Sequence, residues 1–318
     1  MNTTIGTSLD EAKSFLEGRE TVGIPTETVY GLAANALNSD AVLKIFTAKN
    51  RPHFDPLIVH THSREEIAKY VTHIPAVAEK LIDAFMPGPL TVLLNKQSII
   101  PDLVTSGLES VAIRIPNHAL TLALLRSLSF PLAAPSANPF GYISPTTAQH
   151  VYDQLHGKIP YVLDGGATTV GVESTIVGFE DGEVIVYRLG GLAIEEIEQV
   201  AGRVRMNVVE SSNPQTPGML KSHYAPRKKL IIMSSSEWSK ELQGKHIGVI
   251  AFNQYIEGVD TKQQILLSPE GNLNEAAKNL FAAMRKLDAG DVELIVAVKF
   301  PDVGLGRAIN DRLKRAAY

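Results

Sequence analysis

The sequence predicts an α/β protein with a large twisted mixed sheet and helices, followed by a smaller parallel α/β domain. The chain has 318 residues, of which 44% are hydrophobic and 20% charged, which is ordinary for a globular protein of roughly two domains. Short apolar runs alternate with amphipathic segments that end at glycine or proline. The composition then changes to a stretch rich in Ser, Asn, Pro, Gln, Thr and Gly, which is typical of a linker. We therefore predict one domain over 1–205, a linker over 206–227 and a second domain over 228–318.

Local signals predict the elements of the first domain. Ser8 and Glu11 have capping-box spacing and Gly18 supplies a stop, which predicts a helix over 8–18. A second helix is expected over 39–48, with Ser39 or Asp40 as its N-cap. The segment "TVGIPTETVYGLAANA" predicts a strand, a turn at proline and a second apolar stretch. Further helices are expected over 64–71, 74–88 and 118–128, and strands over 56–60, 90–96, 111–116, 131–137, 159–166, 173–180 and 183–190.

The second domain combines short apolar strands with two helices. Strands are predicted over 229–233, 246–253, 263–268 and 292–300. Asn272 and Glu275 resemble a capping box, apolar residues follow the 3.6-residue period, and Gly290 supplies the stop, which together predict a long helix. A last helix is expected over 305–316. The strand–helix–strand order favours a parallel sheet.

Composition excludes several classes of chemistry. The chain contains no cysteine, so disulfides, thiolate catalysis and cysteine-based zinc sites are excluded. It has no P-loop, no G-x-S-x-G and no H-E-x-x-H motif. The net charge of −4 argues against a surface coated with nucleic acid, although a local basic groove stays open. His60 and His62 form an H-x-H pair, for which a metal site is the minor alternative, since no further ligands cluster nearby.

The sequence has neither an apolar signal segment at its start nor an apolar run of about 18 residues. A cytoplasmic protein without a membrane partner is therefore the expectation.

The stretch "AKNRPHFDPLIVH" carries two cations beside a proline. Lys49 and Arg51 are two residues apart, so on an extended segment they project to the same side. Pro52 biases Arg51 toward that extended conformation. Such a pair suits a polyanion, with lysine as a point charge and arginine as a bidentate fork. The alternative is a solvated loop with two ordinary surface charges.

Two further features indicate an anionic ligand. Ser136 and Asn138 lie between prolines in "PLAAPSANPFGYISPT", a stiff loop suited to a phosphate or a sugar, or else a plain turn. Arg114 and Arg188 each interrupt an apolar strand, and a buried cation requires an anionic partner. That partner comes either from a ligand or from an internal salt bridge.

Seven motifs in order make the chain resemble the two-domain threonylcarbamoyl-adenylate synthases, the Sua5 branch of the YrdC-like family. They are "PTETVYGLAANA", "KIFTAKNRPHFDPLIVH", "PGPLTVLL", "VAIRIP", "APSANPFGYISPT", "GVESTIV" and "PGMLKSHYAP". The K-x-R and S-x-N signature of the family corresponds to Lys49, Arg51, Ser136 and Asn138. The resemblance implies a YrdC-like catalytic domain, a linker that acts as a lid, and a Rossmann-like C-terminal domain.

The resemblance also implies a reaction. L-Threonine, bicarbonate and ATP would give threonylcarbamoyl-AMP and pyrophosphate, with Mg²⁺ bound through the ATP phosphates. The product would pass to tRNA threonylcarbamoyl-transfer proteins, in the first step of t6A37 formation. Whether the chain itself contacts tRNA stays open. The alternatives are a YrdC-like RNA-binding module without catalysis, and a carbamoyltransferase maturation factor, which the absence of cysteine disfavours.

The match to the family's motifs implies a role for each candidate site residue. The threonine site would comprise Thr28, His60, Arg114 and Ser174, with Arg114 meeting the carboxylate. The catalytic set would be Lys49, Arg51, Ser136 and Asn138. The ATP site would add Asp55, Ser110, Ser144 and Arg188, together with Lys221, His223 and Tyr224 from the lid. Asp55 departs from the family's common Asn, and its carboxylate would repel phosphates unless it faces the ribose or a cation. Ser110 replaces a common Thr and keeps the hydroxyl.

Overall fold

The computed structural model describes residues 1–208, 223–233 and 246–317. Within these residues, one large mixed sheet has the order β1-β8-β2-β3-β7-β4-β6-β5-β9-β10-β11. Its strands are β1 (Thr4–Gly6), β2 (Val22–Ile24), β3 (Gly31–Asn35), β4 (Ile58–His60), β5 (Leu90–Asn95), β6 (Ser110–Arg114), β7 (Leu132–Ala133), β8 (Tyr161–Leu163), β9 (Thr175–Glu180), β10 (Glu183–Arg188) and β11 (Val204–Met206).

Eight helices accompany this sheet in the described part of the chain. They are α1 (Leu9–Glu17), α2 (Ser39–Lys49), α3 (Arg64–Ile67), α4 (Ala76–Phe85), α5 (Asp102–Thr105), α6 (Ala119–Ser127), α7 (Ala148–Leu155) and α8 (Ile194–Ala201). Ser8 caps α1 by accepting a hydrogen bond from the Glu11 amide, as predicted. The cap of α2 is Asn38, not Ser39 or Asp40, because the Asn38 side chain accepts from the Ala41 amide. The predicted helix over 64–71 is the single turn α3.

The large sheet is covered on both faces. Along β3, Leu32 belongs to one apolar cluster and Ala33 to another, as the two-residue period of a strand requires. The same alternation separates Val59, which packs in the larger cluster, from Ile58 on the other face. Because both faces are buried, these strands appear in the sequence as short continuous apolar runs.

A second sheet forms from the C-terminal part of the described chain, in the order β12-β15-β13-β14. Its strands are β12 (Lys229–Met233), β13 (Ile247–Ala251), β14 (Gln264–Leu266) and β15 (Leu294–Val298), and every pairing between them is parallel. Helices α9 (Leu273–Ala289) and α10 (Gly306–Ala316) accompany it. Leu280 on α9 and Leu313 on α10 share one core with Ile295 of β15. The predicted fold class, a large mixed sheet plus a smaller parallel α/β unit, is confirmed.

The predicted domain boundaries stay predictions. The large sheet ends at Met206 and the small sheet begins at Lys229, but residues 209–222 of the predicted linker lie outside the described residues.

The two parts of the molecule contact each other closely. Gly171 has φ +81° and packs against the backbone of α9, where an added Cβ would lie 2.4 Å from the Lys278 Cα, so only glycine fits. Tyr142 donates a 2.5 Å hydrogen bond to Asp288 of α9. None of the helices in the described ranges is long and apolar enough to cross a membrane.

Candidate active site

A cavity lies on one face of the large sheet, above β4 and β6. His60 and Arg114 end these two parallel strands and pair in register, so their side chains lie side by side on the same face. Ile58, two residues before His60, forms part of the floor. The lining comprises Thr26, Thr28, Val29, Gly31, Arg51, Ile58, His60, Arg114, Ala134, Pro135, Ser136, Glu173, Ser174, Arg188, His223 and Tyr224.

Lys49 connects the two signature motifs. It is the last residue of α2 and is 1% exposed. Its ammonium donates to the main-chain carbonyls of Ser136 and Asn138, at 2.5 Å each. Burial lowers the pKa of Lys49, and the neighbouring Arg51 lowers it further. The alternative of a solvated loop is therefore wrong, since both cations of the motif are buried.

Arg51 is held by the residues that follow it. Its NH2 group lies 2.8 Å from Asp55 Oδ2. Nε donates to the Asp55 carbonyl at 3.1 Å and NH2 donates to the Pro56 carbonyl at 2.9 Å. Burial raises the pKa of Asp55, whereas Arg51 and Lys49 oppose that rise. Asp55 thus faces a cation, but the cation is a side chain of the protein itself.

The loop after β7 is ordered by its own main chain. The side-chain Nδ2 of Asn138 donates to the main-chain carbonyls of Pro139 and Tyr142, at 2.8 and 2.7 Å. No described residue donates to the buried Asn138 Oδ1. The Ser144 hydroxyl donates to Glu173 Oε1 at 2.5 Å. The predicted strand over 131–137 shortens to Leu132–Ala133, and the residues after it form the wall of the cavity.

Arg114 lies at the other end of the cavity. Its NH1 group donates to the Thr28 hydroxyl at 2.8 Å and its Nε donates to the Gly88 carbonyl at 3.0 Å. NH2 lies 2.6 Å from Glu27 Oε2. The anionic partner expected for this buried cation is therefore present within the protein.

His60 is buried beside Arg114, with Nδ1 3.2 Å from the Ile58 carbonyl. Burial lowers the pKa of His60 to about 3, and the charge of Arg114 acts in the same direction. The ring is therefore neutral near pH 7. No three His, Cys, Asp or Glu side chains of the described residues cluster as a metal site would require.

Arg188 and Ser174 close the side of the cavity formed by β9 and β10. Arg188 donates to the Ser174 carbonyl at 2.9–3.0 Å and to its hydroxyl at 3.1 Å. The same hydroxyl lies 2.7 Å from the Thr91 hydroxyl. Burial lowers the pKa of Arg188 to about 10, which still leaves it charged at neutral pH.

The described end of the linker reaches the cavity. His223 and Tyr224 both line it. Tyr224 has φ +65°, and its ring lies 5.5 Å from the Phe281 ring and 4.9 Å from the Arg312 guanidinium. Lys221, predicted as a lid residue, lies outside the described residues.

Most residues predicted from the sequence come together here. Nine line the cavity: Thr28, Arg51, His60, Arg114, Ser136, Ser174, Arg188, His223 and Tyr224. Four lie directly behind them and bind their neighbours: Lys49, Asp55, Asn138 and Ser144. Ser110 begins β6 and lies four residues before Arg114, so it is not among the lining residues.

Sequence reasoning assigned no site role to Glu27, Glu173 or Arg312. Glu173 stands in the family motif "GVESTIV", which was itself a signal. Glu27 likewise stands in the family motif "PTETVYGLAANA". Nothing in the local sequence of Arg312 separates it from a surface charge.

Comparisons with known proteins agree with this architecture. One family model, described as telomere recombination and covering Sua5, YciO and YrdC, matches residues 14–190. A second, described as the threonylcarbamoyl-AMP synthase C-terminal domain, matches residues 192–318. E. coli YciO shares the fold alone, at 18% identity and TM-score 0.52 over 59% of this chain and 94% of its own. The molecule is thus a two-domain protein with a YrdC-like first domain.

Similar relatives span nearly the whole chain. Threonylcarbamoyl-AMP synthase from Pyrococcus abyssi is 39% identical over 96% of this chain and 93% of its own length. The Bacillus subtilis protein of the same name is 40% identical over 96% and 92%. The crystal structure of P. abyssi Sua5 complexed with L-threonine superimposes with TM-score 0.90 at 37% identity, covering 99% of this chain and 97% of that one. The chain belongs to the Sua5 family of threonylcarbamoyl-AMP synthases.

Proposed function

We propose that this protein is an L-threonylcarbamoyladenylate synthase. L-Threonine, bicarbonate and ATP give threonylcarbamoyl-AMP, pyrophosphate and water. The observation that carries the proposal is that one cavity is lined by Arg114 and Thr28 and also by Arg51, with Lys49 buried directly behind it. Guanidinium groups at two places in one cavity suit ligands that carry a carboxylate and phosphates. The full-length likeness to proteins named as this synthase supports it over the RNA-binding alternative.

The threonine end is proposed to centre on Arg114. A guanidinium matches a carboxylate in geometry and charge, and Thr28 holds the Arg114 fork in place. Glu27 already neutralises part of that charge, so threonine carboxylate must share Arg114 with it. His60, being neutral, contributes a hydrogen bond rather than a charge. Ser174 completes the set, and its hydroxyl is oriented by Thr91 and Arg188.

The nucleotide end is proposed to use the cations behind the β7 loop. Arg51 would bind phosphate oxygens directly, with Arg188 opposite it. Lys49 orients the loop through two carbonyls and adds positive potential close to the phosphates. Asn138 offers an unused acceptor for a ribose hydroxyl. Ser110, Ser144 and the lid residues Lys221 and Tyr224 stay proposed nucleotide contacts.

Mg²⁺ is proposed to arrive with ATP. Asp55, the acidic residue nearest Lys49 and Arg51, already forms an ion pair with Arg51. Phosphate oxygens and waters would therefore supply the Mg²⁺ ligands, as is common for this ion. The metal would neutralise charge on the departing pyrophosphate.

The reaction would proceed by positioning and electrostatics. The threonine amine takes up bicarbonate or CO₂ to give a carbamate. A carbamate oxygen attacks the α-phosphorus, the bond to the bridging oxygen breaks, and pyrophosphate leaves with that electron pair. Fixed cations stabilise the charge that spreads over the phosphate oxygens, and the cavity holds the two reactants together. Proteins that transfer the threonylcarbamoyl group to tRNA would consume the product.

Pyrophosphate release tests this proposal. Purified protein is supplied with ATP, Mg²⁺, bicarbonate and L-threonine, and each component is omitted in turn. We expect release only with all four, and mass spectrometry of the product should identify threonylcarbamoyl-AMP. Pyrophosphate formed equally without threonine would contradict the proposal. Salt-sensitive binding of bare RNA that ATP does not affect would favour the RNA-binding alternative instead.

A further inference from the structure

We propose that Arg312, on the last helix of the C-terminal domain, is a positioning residue of the cavity: it holds Glu173, and through Glu173 it fixes Ser144. This inference rests on the proposed function. It assigns the C-terminal domain a direct part in shaping the site.

Arg312 contacts three segments that surround the cavity. Its side chain is fully buried, and its Nε lies 2.7 Å from Glu173 Oε2. NH2 donates to the Leu189 carbonyl at 2.8 Å, next to Arg188. The guanidinium lies 4.9 Å from the centre of the Tyr224 ring, within cation–π range. Three chain segments far apart in sequence therefore meet at one guanidinium.

Arg312 is itself oriented by its own helix. NH1 donates to Asp311 Oδ2 at 2.6 Å, and Asp311 is also paired with Arg315 Nε at 3.0 Å. All three nitrogens of the guanidinium are thus engaged, each in a different direction. A lysine ammonium is a point charge and does not reproduce this planar fork.

The charge of Glu173 depends on its cationic neighbours. Burial disfavours the ionised carboxylate, but Arg312 and Arg188, in that order, lower the pKa of Glu173 below its ordinary value. An ionised carboxylate only accepts hydrogen bonds, so the Ser144 hydroxyl must donate to it. The charged and titratable groups that interact with Glu173 are Arg312 of α10, Arg188 of β10, Lys49 of α2, and His223 and Tyr224 at the described end of the linker.

Without Arg312, Glu173 would lose the neighbour that lowers its pKa most. The carboxyl would take up a proton at higher pH, and the protonated group could donate a hydrogen bond as well as accept one. Ser144 would lose its fixed partner, and the loop that carries Asn138 and Ser144 would lose its anchor on this side. A role confined to joining the domains would not produce this dependence on pH.

The chain offers a matched control on the same helix. Arg307 also forms an ion pair across the two domains, with NH1 2.8 Å from Glu195 Oε1. That pair is partly exposed, and neither residue lines the cavity. Replacing Arg307 removes an interdomain ion pair while leaving the surroundings of Glu173 intact.

The experiment compares Arg312→Met, Arg312→Lys and Arg307→Met by threonine-dependent pyrophosphate release between pH 5.5 and 9. We expect Arg312→Met to lower kcat/KM about 100-fold, with the acid limb of its pH profile at least one unit higher than in the wild type. Arg312→Lys should lower kcat/KM about 10-fold. Arg307→Met should keep kcat/KM within about 2-fold of the wild type, with an unchanged pH profile.

A double variant covers the case in which Arg312→Met does not fold. Glu173→Gln removes the uncompensated carboxylate but keeps an acceptor for Ser144. Glu173→Gln/Arg312→Met should therefore fold, and it should show no raised acid limb.

Two negative results are distinguishable. Equal kinetics and equal pH profiles for Arg312→Met and Arg307→Met would overturn this inference, and so would a double variant that keeps the raised acid limb. Wild-type protein without threonine-dependent release would instead contradict the proposed function.

Discussion

Arg51 and Asp55 form a buried ion pair, with NH2 2.8 Å from Oδ2 and the two side chains 3% and 0% exposed. Asp55 is therefore the counter-ion of a cation that is proposed to bind phosphate. Because the carboxylate neutralises part of the Arg51 charge, the phosphates of ATP must compete with Asp55 for the guanidinium. Asp55 thereby sets how strongly Arg51 attracts the nucleotide.

The first prediction concerns Asp55→Asn. The amide keeps an oxygen near Arg51 but removes the opposing charge, so we expect the KM for ATP to fall about 3- to 10-fold. The free protein should lose about 1–3 kcal/mol of stability, because the Arg51 charge is left buried without a counter-ion. Initial rates at varied ATP and chemical denaturation without ligand measure the two effects.

Asp102→Asn is the control for that experiment. Asp102 pairs with Lys96 but is 85% exposed, and exposed ion pairs contribute little. Neither the KM for ATP nor the stability of the free protein should change in this variant. A higher KM for ATP in Asp55→Asn would show that the carboxylate assists nucleotide binding.

The second prediction concerns Arg51→Ala, for which the sequence alone predicts loss of activity with an intact fold. The structure shows that the substitution should also lower the free energy of unfolding, because it leaves the buried Asp55 carboxylate without a counter-ion. Removing one partner of a buried ion pair costs about 3–5 kcal/mol. We expect activity to fall at least about 100-fold and the free energy of unfolding to fall by that amount. Arg51→Ala/Asp55→Asn should recover most of the stability and none of the activity. Recovered turnover in the double variant would refute the role of Arg51.

Helices with complete local signals could be predicted almost to the residue. Asn272 accepts from the Asn274 and Glu275 amides and Gly290 follows the last residue of α9, as the capping pattern requires. Two strands of three residues, Thr4–Gly6 and Val204–Met206, were not predicted because they are too short to show a period. The equally short Ile58–His60 and Tyr161–Leu163 lie within longer predicted segments. Their existence depends on distant partners in the sheet.

The residues that form the site could be predicted, but the hydrogen bonds and ion pairs between them could not. The motifs of Lys49, Ser136 and Asn138 were recognised as anion-binding, yet the binding of Lys49 to two carbonyls depends on where α2 ends in space. Glu173 and Arg312 are 139 residues apart, and neither local sequence indicates that the two side chains pair. Such pairs are created by the docking of the two domains.

The third prediction concerns acid stability. The pKa of buried His60 is about 3 in the folded protein, below the ordinary value of about 6.5. As pH falls below about 6.5, the unfolded chain binds the proton first, so unfolding becomes more favourable down to about pH 3. Each such histidine contributes a slope of about 1.4 kcal/mol per pH unit in that window.

Urea denaturation at pH 7.5, 5.5 and 4.5 measures this slope. We expect His60→Gln to be less sensitive to acid than the wild type, because glutamine does not titrate. His62→Gln is the control, since His62 lies at a partly exposed position two residues on. An identical slope in His60→Gln and the wild type would show that His60 is not buried in its neutral form.

The last prediction concerns deletion of residues 207–318, which from the sequence should weaken activity through loss of the lid. The structure adds a second cause, because Arg285 of α9 donates to the carbonyls of Ile143 and Ser144 and to the Gln154 side chain. Arg285→Met keeps the linker but leaves two buried carbonyls without a donor, at a cost of about 2–3 kcal/mol. On a logarithmic scale, we expect Arg285→Met to lose about half as much activity as the deletion. Lys286→Met, on the exposed face of the helix, should keep full activity. Wild-type kinetics for Arg285→Met beside an inactive deletion would assign the whole effect to the linker and to the other contacts of the C-terminal domain.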